Sequence, residues 1–193
     1  MPTPKSIVAF MSALPTAPGT PPFRVLFVCI GNVCRSPVGE RLLAAKLPAE
    51  QFAVASAGVG AMVGYAMSRY AAAELQGYGG DPTGFAARQL TPTMIQEADL
   101  LLTATRELRS QVLAESPGAL RRTFTILEFA ALSTMSEGGT PAEIVRWAGA
   151  HRSAAAAVEQ DVPDPFRRGA EVHAAAAAAI HDAVDDIAKG FGR

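Results

Sequence analysis

The segment VCIGNVCRSP carries the residue types and spacing that could do chemistry. Cys29 and Arg35 flank a turn containing Gly31 and Asn32, and Ser36 and Pro37 open the helix that follows. A tight loop closing onto a helix N-terminus turns successive backbone N–H groups inward, and the helix dipole adds partial positive charge, so the segment predicts an anion cradle. Helix N-termini and neighbouring arginines favour the thiolate, which is the nucleophilic form of a cysteine. Cys29 is placed to attack. The planar fork of Arg35 can grip two phosphoryl oxygens and stabilise charge spread over them, which a lysine could not do in the same geometry. Gly31 and Asn32 tolerate left-handed backbone angles, and the Ser36 hydroxyl can donate toward the thiolate. A buried structural cysteine before an ordinary turn is the alternative, and it leaves the glycine, the asparagine, the second cysteine and the Ser-Pro helix start as coincidences.

A second segment, DVPDPF, supplies acids. Expelling an alkoxide or phenolate needs a proton, which a carboxylic acid near the bridging oxygen can give and later recover from the hydrolytic water. Asp164 is the candidate and Asp161 the competitor. Pro163 and Pro165 stiffen the loop and bias the preceding residues away from helix. The plainer reading has both acids cap a helix beginning near Arg168.

Elements must position these residues. From Arg24 the β-branched and aromatic run RVLFVC reads as a buried strand, ending where the glycine turn begins. Pro37 fits the first helical position, and Val38, Leu42 and Ala45 share one face of the helix it opens. The strand-then-helix unit recurs in FAVAS before SRYAAAELQ, in ADLLLT before TRELRSQVLA, and in TFTIL before later helices. This alternation predicts an α/β fold: a three-layer arrangement of about four parallel strands with helices on both faces. Ligands then belong at the rim formed by the strand C-termini. Two alanine-rich helical stretches, PAEIVRWAGAHRSAAAAVEQ and AEVHAAAAAAIHDAVDDIAK, flank DVPDPF.

Composition bounds the reading. The chain has 193 residues, 49% hydrophobic and 18% charged, as expected of one globular domain. A formal net charge of -1 provides no global field for nucleic acid or anionic lipid, so neither is expected as a partner. No apolar run reaches the roughly 18 residues that would span a bilayer, and no membrane insertion is expected. The two cysteines are too few for a disulfide framework, and a reactive thiol suits the cytoplasm. Residues 1–22 hold six of the fourteen prolines and show no sustained period, so they read as a poorly ordered extension before a catalytic domain at 23–193. His151, His173 and His181 lack metal-ligand spacing and read as solvated or half-buried helix positions; no metal and no cofactor is expected.

The run V-C-x-G-N-x-C-R-S-P at residues 28–37 resembles the signature of the low-molecular-weight protein tyrosine phosphatase family. Asp164, Pro165 and Phe166 match its distant Asp-Pro-aromatic motif, and similarity extends through SAG at 56–58 and ARQLT at 87–91. The resemblance implies hydrolysis of phosphotyrosine through a phosphoryl-cysteine, with Cys29, Arg35 and Asp164 catalytic and the loop residues Ile30, Gly31, Asn32, Val33, Cys34 and Ser36 binding phosphate. Met62, by its place after SAG, and Phe166 resemble the substrate wall. Cys34 is either a packing residue or a redox partner that traps oxidised Cys29, and the resemblance favours the second. The implied partner is a tyrosine-phosphorylated protein, such as a bacterial-type tyrosine kinase.

Departures exist. Phe85 stands where the family often has His, and Ala104 and Thr105 replace a Met-acid pair, so hydrogen bonds behind the loop are expected to differ. The stretch between Phe129 and Asp164 is long, suggesting an added helix beside the acid loop. Arsenate reductases of similar fold need further cysteines. Arginine phosphatases resemble the family too, with a hydroxyl residue where Val33 stands. A silent phosphate-binding module is the remaining rival, although Cys29, Arg35 and Asp164 are all present.

Overall fold

The computed structural model describes residues 21–192. Apart from Pro21 and Pro22, the extension expected over 1–22 lies outside the described residues. Four strands form one parallel sheet: β1 (Phe23–Cys29), β2 (Phe52–Gly58), β3 (Leu100–Thr103) and β4 (Thr123–Thr125), in the order β2-β1-β3-β4. The helices are α1 (Arg35–Lys46), α2 (Arg69–Gly77), α3 (Pro92–Glu97), α4 (Arg106–Glu115), α5 (Ile126–Met135), α6 (Pro141–Ala150) and α7 (Ala170–Phe191). The expected three-layer α/β architecture is the one observed.

Alternation along β1 explains the layers. Val25 and Phe27 point into a core shared with α1, α5 and α7, whereas Leu26 and Val28 face Ile95 of α3 and Val112 of α4. Each fully buried side chain of this size contributes about 1.5–3 kcal/mol. Helix α1 lies close on β1 because residue 39 is glycine: a Cβ there would fall 2.6 Å from the Phe27 ring. Strand β1 is central, with β2 on one side and β3 on the other, so its C-terminal end is the switch point at which α/β sheets bind ligands.

Several expectations are corrected. Helix α1 begins at Arg35, so Pro37 is its third residue rather than its first; Leu43 is buried in place of Ala45, which is exposed. The helix expected to run on from Pro141 stops at Ala150, followed by a 3-10 turn at Arg152–Ala155. Arg152 overrides alanine's propensity there: its guanidinium donates to the Leu120 and Thr123 carbonyls, pairs with Glu128 and lies over the Phe124 ring. Helix α6 is not beside the acid loop. Pro141 and Ala142 share a surface hollow with Phe23 and Gln51, at the pole where β1 starts. Neither acid of DVPDPF caps α7, whose N-cap is Gly169 with no side-chain cap.

Candidate active site

Cys29 is the last residue of β1, and the chain then turns through residues 30–34 into α1. The turn closes on the sheet because residue 58 is glycine; a Cβ there would fall 2.3 Å from the Ile30 carbonyl oxygen. Asn32 takes the left-handed conformation the turn demands, with φ of 54°.

The Cys29 sulfur is buried and held from two sides. The Asn32 backbone N–H donates to Sγ at 3.2 Å, and the Ser36 hydroxyl lies 2.9 Å from it. Asn32 Nδ2 donates to Ser36 Oγ at 2.8 Å, and the Ser36 hydroxyl has both the sulfur and the Ala57 carbonyl, 3.4 Å away, within reach. Asn32 is held in turn: Nδ2 also donates to Ser56 Oγ, and Oδ1 accepts from the Arg88 N–H at 2.8 Å. Ser56 donates to Glu40, which also pairs with the Arg88 guanidinium at 3.4 Å. Phe85, in the place of the family's histidine, is buried and packs under Arg41 instead of joining this network. Ser56 and the Arg88 backbone were missed as supports; SAG and ARQLT marked their place without revealing the role.

Arg35 is 4% exposed. Its Nη1 donates to the Val162 carbonyl at 3.2 Å, and its Nη2 lies 3.0 Å from Asp164 Oδ1. Asp164 is half exposed, and its carboxylate also accepts from the Phe166 N–H. Asp161 is engaged elsewhere. It accepts from the Arg106 backbone N–H at 2.7 Å and pairs with the Arg106 side chain at 3.2 Å, which clamps the loop to the start of α4.

A cavity of about 170 Å³ opens above the sulfur. Of the expected residues, Cys29, Ile30, Gly31, Val33, Cys34, Arg35, Met62, Asp164 and Phe166 line it, and Gly60 joins them. Asn32 and Ser36 do not; both are fully buried behind the sulfur. Burial pushes the Cys34 thiol up to about 11, the nearby Cys29 and Asp164 adding to the effect against a Ser68 hydrogen bond and Arg35. The described residues hold no cluster of three or more acidic, cysteine or histidine side chains fit for a metal ion. No helix among them is long and apolar enough to cross a membrane.

A buried sulfur with donors around it, an arginine fork beside it and a half-exposed carboxyl above define the class of cysteine-dependent phosphate-ester hydrolases. The chain belongs to the low molecular weight phosphotyrosine protein phosphatase family, whose model matches residues 24–193. It is similar to the probable low molecular weight protein-tyrosine-phosphatase AmsI of Erwinia amylovora, 46% identical over 78 residues, 40% of this chain and about half (53%) of that protein. With the low molecular weight protein-tyrosine-phosphatase Etp of Escherichia coli K12 it is 28% identical over 169 residues, 88% of this chain and 95% of Etp. The crystal structure of AmsI superimposes with a TM-score of 0.69 at 27% identity, covering 92% of this chain and 99% of that one. The YwlE arginine phosphatase from Geobacillus stearothermophilus gives 0.68 at 28% identity, covering 89% and 94%.

Proposed function

We propose that residues 23–193 form a catalytic domain that hydrolyses phosphotyrosine in proteins through a phosphoryl-cysteine. The observation that carries this reading is the Cys29 sulfur, held by the Asn32 N–H and the Ser36 hydroxyl at the floor of a cavity whose roof is Asp164. The substrate's phosphoryl group enters the loop, and Arg35 exchanges the Asp164 carboxylate for two phosphoryl oxygens. Released from Arg35, the Asp164 carboxylate takes up a proton from solvent; the Cys29 thiolate attacks phosphorus, the S–P bond forms, the P–O bond to the ring breaks, and Asp164 gives that proton to the leaving oxygen. Water then attacks phosphorus; Asp164 takes its proton, and the S–P bond breaks to release phosphate and the thiolate. Ile30, Met62 and Phe166 supply apolar surface above the loop for the ring.

The partner is a tyrosine-phosphorylated protein, with a bacterial-type tyrosine kinase as the first candidate, and the compartment is the cytoplasm. Nucleic acid and membrane insertion play no part in this reading. Similarity to YwlE motivates a second reading, arginine phosphatase. The aliphatic Val33 in the cavity lining supports the aryl substrate over it.

A competition panel of phosphotyrosine, phosphoserine and phosphoarginine peptides tests the assignment. Preferential release of phosphate from phosphotyrosine is expected. Preference for phosphoarginine would support the second reading, and binding without any phosphoryl-enzyme would reduce the protein to a phosphate-binding module.

A further inference from the structure

The acid loop turns back on itself directly after Asp164. The Pro165 carbonyl accepts from the Arg168 N–H at 3.0 Å, closing a turn with Phe166 and Arg167 at its central positions. Arg167 takes the left-handed backbone there, with φ of 58°. Glycine or asparagine fills such a position at least cost, so an arginine is held in it against its own preference. The chain has a glycine two residues on, Gly169, where φ is -71° and any residue would fit. Strain of this kind accumulates at ligand clamps, where what the side chain reaches outweighs what the backbone loses.

The side chain so placed is a cation at the mouth of the catalytic cavity. The Arg167 guanidinium lies over the Phe166 ring, 5.3 Å from its centre, and Phe166 lines that cavity. Arg167 is exposed, and no carboxylate among the described residues pairs with it. The charges of the lining itself are already matched: Arg35 and Asp164 lie 3.0 Å apart, while Ile30, Gly60 and Met62 carry none. With a formal net charge of -1 the chain as a whole draws in no anion, so attraction for one at this mouth is local.

We propose that Arg167 is a specificity residue: it binds an acidic side chain adjacent to the phosphorylated residue, so that the enzyme favours phosphotyrosine set among aspartate and glutamate. This inference rests on the phosphatase reading and adds to it the sequence around the target. While the phosphorylated side chain reaches down to Cys29, the polypeptide that carries it stays at the mouth, at the level of Phe166, and its neighbouring residues meet the guanidinium. Resting over an aromatic ring, a guanidinium keeps its N–H fork for a carboxylate and gives up fewer conformations on pairing. Arginine stays charged across the physiological range, so the preference responds to salt rather than to pH.

The test compares peptides in which Asp and Glu flank the phosphorylated residue with peptides carrying Asn and Gln in their place, built once around phosphotyrosine and once around phosphoarginine. For the wild type at low salt, kcat/KM should be about fivefold higher on the acidic phosphotyrosine peptide, and the ratio should shrink toward unity in high salt. Arg167→Gly and Arg167→Asn both accept the left-handed backbone, so the turn is kept. Both should abolish the preference while leaving turnover of p-nitrophenyl phosphate, which has no flanking residues, as in the wild type. Arg167→Lys, which keeps the charge and loses the fork, should retain a ratio of about twofold. Arg146→Ala removes an exposed arginine beside Phe23, at the opposite pole of the sheet, and should leave the ratio unchanged. No preference in the wild type, a preference that survives Arg167→Gly and Arg167→Asn, an equal fall with Arg146→Ala, or equal losses on every ester would overturn the role of Arg167. Turnover of the phosphoarginine peptides alone would strike the phosphotyrosine reading instead, and the ratio between their acidic and neutral forms would then decide the role of Arg167.

Discussion

Asp164 Oδ1 lies 3.0 Å from Nη2 of Arg35, so the carboxyl proposed as the acid rests on the guanidinium proposed to take the substrate's phosphoryl oxygens. The same guanidinium is held at Nη1 by the Val162 carbonyl, two residues before the acid. On the proposed mechanism, entry of a phosphoryl group displaces the carboxylate from Arg35 and turns it toward the bridging oxygen in one rearrangement. Asp164 is half exposed, so its carboxylate is the partner that water can take over when the pair opens.

Asp164→Ala should accordingly separate binding from chemistry. Inorganic phosphate should inhibit this variant several-fold more strongly, because Arg35 is left free. Turnover should fall by about 10²–10⁴-fold on phenyl phosphate and far less on activated esters. Inhibition constants and a leaving-group series check both halves; unchanged phosphate inhibition would mean that the pair does not compete with substrate.

Cys29→Ser should abolish turnover while holding phosphate within a few-fold of the wild-type affinity. A hydroxyl is a far weaker nucleophile in a loop with no general base, whereas the donors that grip the phosphoryl oxygens remain. Rapid-quench trapping should find phosphoryl-enzyme in the wild type and none in the variant.

Met62, proposed as a wall for the substrate ring, lines the cavity, and its N–H donates to the Gly31 carbonyl at 3.0 Å, which fixes its backbone relative to the loop. Met62→Ala should weaken aryl phosphate binding by about 1–2 kcal/mol, the worth of ring burial against a flexible side chain. Inhibition by inorganic phosphate should stay the same. Equal changes in both constants would place Met62 in the core rather than in the wall.

Burial raises the Asp161 carboxyl, but the Arg106 N–H and guanidinium outweigh it and hold the group below its ordinary value of 3.8. A depressed folded-state value means that the contribution to stability is present above about pH 4 and is lost as pH falls through the lower folded-state value. Asp161→Asn should cost about 0.5–1 kcal/mol at neutral pH, since the pair is partly exposed, and nothing below the folded-state value. Denaturant melts at several pH values check the sign. Its turnover should fall equally on good and poor leaving groups, which distinguishes an anchor from an acid.

Cys34, pushed up to about 11, should remain a neutral thiol through the physiological range. One equivalent of iodoacetate at pH 7 should alkylate Cys29 and leave Cys34 intact, as peptide mass mapping would report. After peroxide, a Cys29–Cys34 disulfide would support the redox role of Cys34, and a stable sulfinic acid on Cys29 would leave it a packing residue.

The chemistry was more legible than its scaffolding. Phosphate-loop residues are constrained by conformation as well as by reactivity, so Asn32, Arg35 and Ser36 announce the turn that they make, whereas Gly31, expected to tolerate a left-handed angle, does not take one, and a Cβ there would lie 3.6 Å from Val33. Strands β1 and β3 were readable because buried parallel strands are continuous apolar runs, and β2, an edge strand with Ala53 exposed, still carries such a run, whereas β4 ends at Thr125, with the isoleucine of TFTIL already the first residue of α5. Helix α3 is barely more than one turn and left no period to read. Alanine in 153–157 speaks for helix, but Arg152 is recruited by Glu128 and two carbonyls, a decision taken by partners 24 to 32 residues away. His173, expected to be solvated or half-buried, is buried with its ring 5.2 Å from that of Tyr70, and this was hidden for the same reason: its alanine neighbours say nothing of Tyr70.

The placement of the nucleophile at the end of the central strand has a thermal consequence. Cys29 ends the central strand, in register with Gly58 of β2 and directly after Val28, which pairs with β2 and β3 alike, whereas Asp164 rides on a loop tied at a few points. On warming, the loop should detach first. Below the melting temperature there is then a window in which esters that need no proton are still cleaved while those that need one are spared, so heat alone narrows the substrate range of the enzyme before it removes the activity.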